Sequence, residues 1–184
     1  EEKLELPAGQ FALFMNSMYA VDAYVRDYFR KAALDALLAE KLPVTVFGEG
    51  WEKYSCGDEH SLRREPAVPF ALSFERIAKA HVLLNVSPIF NRGMHDRVPA
   101  GMANHAVVLT DENPYLRRTF TDGKELLFYS LEKPDTLCEQ AERALTDVRL
   151  REKIAASAYE TFEREYTWKR RAEQILAFAE EVEA

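Results

Sequence analysis

The strongest constraint on this chain is a repeated alternation: a short apolar run rich in β-branched residues, then a stretch of helical periodicity. The runs are VTVF at 44–47, HVLLNV at 81–86, AVVLT at 106–110 and ELLFY at 125–129, each closed by glycine, serine-proline, aspartate or serine. None alternates apolar with polar residues, so each expects cover on both faces. Such strands, separated by helices, belong to an α/β fold with a parallel sheet clothed by helices on both sides. Residues 11–40 carry no Gly or Pro, and Val21, Val25, Tyr28, Phe29, Ala32 and Ala36 recur at three- and four-residue steps. That is an amphipathic helix, with room for a short strand ahead of it at 11–15. Residues 49–69 show no periodicity and read as a loop. A short helix follows at 73–80 with Ser73 as N-cap, then helices near 98–104 and 113–120. Beyond residue 130 the pattern is wholly helical. Its apolar faces are Leu137, Ala141, Ala144, Leu145 and Val148, then Ile154, Ala158 and Phe162, then Trp168, Ala172, Ile175 and Ala179. Trp168 is expected in the core.

The 184 residues suffice for one compact domain or two very small ones. A formal charge of −7 with no basic stretch argues against a nucleic-acid partner; an anionic small ligand would need a local cluster of arginines. Cys56 and Cys138 are far apart and in no metal-binding motif, which reads as reduced thiols in a cytoplasmic setting, Cys138 serving packing. No apolar run approaches the ~20 residues of a membrane span, and no signal-peptide pattern opens the chain. A start at Glu1 instead of methionine is what a piece of a longer protein would show.

In parallel α/β sheets ligands bind beyond the carboxyl ends of the strands. The segment RGMHDRVP, 92–99, leaves such an end and carries Arg92, Gly93, His95 and Arg97. It is either an ordinary surface crossing, its arginines paired with neighbours such as Asp96, or an anion site. In the second case Gly93 admits the ligand closely, free N–H groups of the following helix face it, and arginine forks match phosphate oxygens. Asp111, Glu112 and Asn113 close the next strand and either hold sugar or ribose hydroxyls or simply cap the turn. Gly48-Glu49-Gly50 follows a strand as a phosphate loop would, but no helical pattern follows promptly, which favours a turn. Arg26 and Arg30 share a helix face and either stay solvated or bridge to Asp22 and Asp27. His81 reads as structural, and no Ser-His-Asp, Cys-His or metal-ligand constellation stands out.

The succession NVSPIF, RGMHDRVPAGMANHAVVLTDE, FTDGKELLFYS and LREKIAASAYETFEREYTWKRRAEQIL, from Asn85 to Leu176, resembles the C-terminal domain of group 1 glycosyltransferases. The spore-maturation CgeB-like branch is the nearest in pattern, and YVRDYFRKAALDAL leading to VTVFGEGW fits it as well. The resemblance implies that residues 1–184 form a single Rossmann-like, donor-binding domain, one half of a two-domain GT-B type transferase. It implies a nucleotide-sugar donor as substrate, no separate cofactor, no bound metal, and an N-terminal acceptor-binding domain of the same protein as partner. The donor-binding residues it implies are Arg92, Gly93, His95, Arg97, Asp111, Glu112 and Asn113, while catalytic residues stay unassigned. Arg92 and Ala100 stand where many relatives carry paired glutamates, and His105 stands where glycine is commoner. The rival reading is therefore a non-catalytic GT-B-like binding or assembly module. A third is another α/β enzyme using a phosphorylated ligand, such as an epimerase-like protein.

Overall fold

The computed structural model describes residues 7–183. The described residues run α1 (Ala8–Ala39), β1 (Val44–Phe47), a 3-10 turn (Trp51–Lys53), β2 (Leu62–Glu65), α2 (Phe70–Ile77), β3 (Val82–Asn85), α3 (Arg97–Ala103) and β4 (Val107–Asp111). Then come α4 (Pro114–Thr119), β5 (Leu127–Tyr129), α5 (Pro134–Thr146), α6 (Val148–Glu165) and α7 (Trp168–Glu183). Every ladder is parallel: β1 pairs with β2, and β3, β4 and β5 form a second sheet in that order.

All five residues of β4 are buried, as its unbroken apolar run requires. The two-residue period of a strand divides them between two cores. Val107 and Leu109 join Leu127 and Tyr129 beneath Leu37 of α1, Leu137 of α5 and Ile154 of α6. Val108 turns the other way, with Phe128, onto Val98 and Met102 of α3 and Leu116 of α4. Each such side chain contributes about 1.5–3 kcal/mol by leaving water. A third cluster, Leu34 and Leu38 against Leu62, ties α1 to the β1–β2 pair. Helix α3 lies close to the sheet because Gly101 has no side chain: a Cβ there would meet Val108 Cγ2 at 2.5 Å and Leu83 Cδ2 at 3.0 Å. The helix ends with His105 at φ 57°, the left-handed position in which glycine is strain-free. His105 instead stacks on Tyr159, centroid to centroid 4.2 Å.

Five sequence expectations change. Residues 11–15 form no strand but belong to α1, which already begins at Ala8. The stretch 49–69 is not all loop: LRRE at Leu62–Glu65 is β2. Among the described residues it pairs only with β1, and an edge strand tolerates charge because one of its sides faces water. Ser73 is not an N-cap; α2 starts after Pro69, and the Ser73 hydroxyl donates to Phe70 O at 2.6 Å. The sheet is divided, since no ladder joins β1 to β3. Trp168 lies outside the core, 90 % exposed. Periodicity defined an apolar face on α7 but not what covers it, and Ile175 and Phe178 are exposed on the same helix. Cys56 and Cys138 are free thiols. No helix among the described residues is long and apolar enough to cross a membrane.

Polar side chains close the carboxyl end of the three-stranded sheet: Asn85, Ser87, Thr110 and Asp111 are all buried. Asp111 Oδ1 accepts the Ser87 N–H at 2.7 Å. Burial nevertheless lifts its pKa to about 6, against the pull of backbone hydrogen bonds. A folded-state pKa above the ~4 of an exposed aspartate means that this carboxyl favours folding when protonated. That contribution is full below pH ~4 and is lost as pH rises through 6. Asp111→Asn keeps the acceptor and removes the charge, so it should gain about 1–3 kcal/mol at pH 7.5 and flatten the decline between pH 4 and 6. Urea unfolding across that range measures this, and a variant no more stable than the parent at pH 7.5 contradicts it. By the same assay Gly101→Val should lose about 1–3 kcal/mol through overpacking. Gly57→Ala, at a position with nothing within 4 Å, should stay near neutral.

Candidate anion-binding site

The chain proceeds from β1 outward to β2 on one side, and from β3 to β4 and β5 on the other. Among the described residues no ladder joins β1 to β3, but residues of both line one cavity, where a continuous α/β sheet would reverse its strand order and leave a crevice. A cavity of about 790 Å³ opens there. Leu34 and Leu37 of α1, Phe74 of α2, Val46 and Leu84 line its apolar interior. Arg30 of α1, His95, Asp96 and Arg97 line its charged part, together with Arg76 of α2, whose guanidinium lies over the Phe47 ring.

Arg97 dominates the electrostatics. It is partly buried, and burial pulls its pKa down first, Arg30 second, with Asp96 opposing. Its guanidinium donates to Asn85 Oδ1 at 3.3 Å, a neutral acceptor. Among the described residues no carboxylate pairs with it. Its neighbour Asp96 lies against His95 Nδ1 instead. A cation held out of water without a counter-ion is costly, and a bound anion removes that cost. Asn85, at the end of β3, is wholly buried. Its Nδ2 donates to Thr110 Oγ1 at 3.0 Å, and its Oδ1 also accepts from Ser87 Oγ at 3.2 Å. Tyr129 OH donates to the Asn85 carbonyl at 3.0 Å. The amide that holds Arg97 is itself held by Thr110 of β4 and by Ser87 of the following loop, while Tyr129 of β5 bonds the backbone of the same residue.

His95 has its pKa lowered by burial, then by Arg97, with Arg30 adding and Asp96 opposing. Burial and the neighbouring guanidinium groups thus bias the ring toward its neutral form. It also satisfies the start of α3: Nδ1 accepts the Arg97 N–H at 3.2 Å and its carbonyl accepts the Val98 N–H at 3.0 Å. The expected free N–H groups of that helix are thus already bonded, and side-chain charge is what the site offers. Phe90 packs edge-on to the His95 ring, centroids 5.5 Å apart.

The other expected residues divide. Gly93 borders open space, with nothing within 4 Å of its would-be Cβ. Arg92 is exposed and does not line the cavity. Asn113 caps α4 by accepting the Leu116 N–H at 2.8 Å, and its Nδ2 donates to Phe90 O at 2.6 Å and Gly93 O at 3.2 Å, holding the loop in place. Asp111 holds Ser87, and Glu112 pairs on the surface with Arg117. Gly48 and Gly50 take positive φ in a turn that leads to Trp51, whose Nε1 donates to Phe47 O at 3.2 Å. Among the described residues, no three His, Cys, Asp or Glu side chains gather as a metal site would need.

Sequence reading missed Asn85, concealed in the run HVLLNVSP. Its signal was a carboxamide at the end of an otherwise apolar strand. It also left Arg30 level with Arg26, although Arg26 is bonded to Asp22 and only Arg30 lines the cavity.

Solved structures share this fold. The Anabaena protein HepE in complex with UDP-glucose superposes with a TM-score of 0.66 at 13% identity, over 82% of this chain and 44% of that one. Its complex with UDP gives 0.68 at 12%, over the same shares. A glycosyltransferase from Rickettsia africae ESF-5 gives 0.66 at 10%, over 84% of this chain and 44% of that one. At such identities the likeness is one of fold, and this chain spans less than half the length of these structures. No curated protein matches it in sequence. Residues 26–177 match the profile of the Glycosyl transferase-like family, across the sheets, the cavity and the Arg97 loop alike, and the chain belongs to that family.

Proposed function

We propose that this chain is the donor-binding domain of a glycosyltransferase and binds a nucleotide-diphosphate sugar in the crevice between β1 and β3. The observation that carries the reading is Arg97, a partly buried cation tethered to a neutral amide and facing a cavity. Arg97 and His95 contact the diphosphate, Gly93 lets it approach, and Arg92 lies at the outer rim. Asp111 and Asn113 act indirectly by fixing Ser87 and the 90–93 backbone. Glu112 is near enough to the strand end to meet a hydroxyl if it leaves Arg117. Fixed cations of this kind stabilise the charge that develops on a leaving diphosphate, which is how such a transfer proceeds without a metal. Family membership and the UDP and UDP-glucose complexes of HepE support the ligand class. Within the family we assign the chain to the CgeB-like branch. The acceptor-binding half is a second, N-terminal domain of the same protein, in keeping with the 44% share of its structural neighbours that this chain covers.

Calorimetric titration with UDP, GDP and their sugars tests the reading. At least one should saturate below millimolar concentration, and Arg97→Met, which keeps the side-chain stem, should weaken it by roughly 10- to 100-fold. Absence of saturation, or unchanged affinity in the variant, removes the assignment. Asn85→Asp should weaken the same ligand by about tenfold or more, because a carboxylate at that position neutralises Arg97 internally. Circular dichroism and thermal unfolding run in parallel report whether the fold persists, and full affinity in a folded Asn85→Asp protein contradicts the role given to Arg97. The rival, a module that binds without catalysing, is favoured by Arg92 and Ala100 in place of paired glutamates. It prevails if the protein with both halves binds donor yet neither hydrolyses nor transfers it.

A further inference from the structure

We propose that Arg30 of α1 is a second fixed cation of this site and sets its preference for a diphosphate over a monophosphate. The inference rests on the donor-binding reading and adds to it a residue from a different element. Leu34 and Leu37 fasten α1 in the core, and Arg30 stands one helical turn before Leu34, on the same face. That spacing brings its guanidinium to the cavity that Arg97 and His95 line from the α3 side.

Arg26 and Arg30 look equivalent in sequence but differ in their partners. Arg26 donates to Asp22, one turn back. Among the described residues Arg30 pairs only with Asp27, 3.7 Å away, beyond hydrogen-bond reach and 77% exposed, so its charge is poorly compensated there. Its field is felt at the site, lowering the pKa of both His95 and Arg97. Two guanidinium groups that repel across a partly desolvated cavity are at rest only with negative charge between them. One fork suffices to hold one phosphate through paired hydrogen bonds. The second, delivered from another wall, is left for the second phosphate.

The test is calorimetry on the whole chain with UDP against UMP and GDP against GMP, in the parent, Arg30→Met and Arg26→Met. The parent should prefer the diphosphate by about tenfold or more. Arg30→Met should bring that ratio close to one by weakening the diphosphate alone, leaving the monophosphate within about twofold. Arg26→Met should leave both affinities unchanged. A ratio that survives in Arg30→Met, or an equal loss for both nucleotides, overturns the role of Arg30 while leaving the donor site standing. A parent chain that binds none of the four nucleotides overturns the donor-binding reading, and this inference with it.

Discussion

Double-sided burial of β4 is the constraint on which the rest of the structure depends. A strand whose five residues are all withdrawn from water needs a helix layer on each face, and the chain supplies α1 and α5 on one side and α3 and α4 on the other, with α6 reaching both. Parallel pairing of β3, β4 and β5 then follows, because α3 and α4 return the chain to the same end of that sheet. The carboxyl ends of β3, β4 and β5 therefore lie on one rim, and the loop that carries His95 and Arg97 leaves from it. Gly101 completes the arrangement by letting α3 lie against Val108, so that its first residue, Arg97, reaches the last residue of β3.

That rim is polar where the layers beneath it are apolar, and the change has consequences. Asn85 and Thr110 sit opposite each other on neighbouring strands, with Asp111 one residue further along β4, and they are bonded to one another or to the loop above. A buried hydrogen-bonded layer of this kind tolerates no loose member, since an unpaired group there would forfeit its water without replacement. Arg97 is anchored to this layer by an amide, not a carboxylate. The anchor fixes the guanidinium in direction without cancelling its charge, which separates orientation from neutralisation.

How much of this was legible in the sequence depended on whether the signal was local. Four strands and the helices between them were readable because uninterrupted β-branched runs and three-four spacing are written in adjacent residues. β2 was not, because Arg63, Arg64 and Glu65 carry no apolar pattern; Arg64 instead earns its place through hydrogen bonds to Trp51 O and Tyr54 O. The exposure of Trp168 was equally hidden, for periodicity gives a face and leaves its cover unstated. At the site, the cluster of His95 and Arg97 was visible as composition. Asn85 and Arg30 were not, since their meaning arises only when α1, β3 and α3 converge over 67 residues of chain, from Arg30 to Arg97.

Arg92 and Ala100, which the resemblance drawn from the sequence places at the glutamate positions of related transferases, acquire a common sense from this geometry. Ala100 lines the cavity one turn along α3 from Arg97. A glutamate there would stand three residues from the arginine, the spacing at which helix side chains form ion pairs. With alanine no such partner exists, and Arg97 keeps its charge for whatever enters the crevice. Arg92 in place of the other glutamate moves the rim in the same direction. On the donor-binding reading proposed above, what the site gives up in contacts to a ribose or sugar hydroxyl it regains in attraction for phosphate. Its selectivity should accordingly reside in the number of phosphates more than in the hydroxyl pattern of the sugar, a division of labour that the neutral tether at Asn85 makes physically consistent.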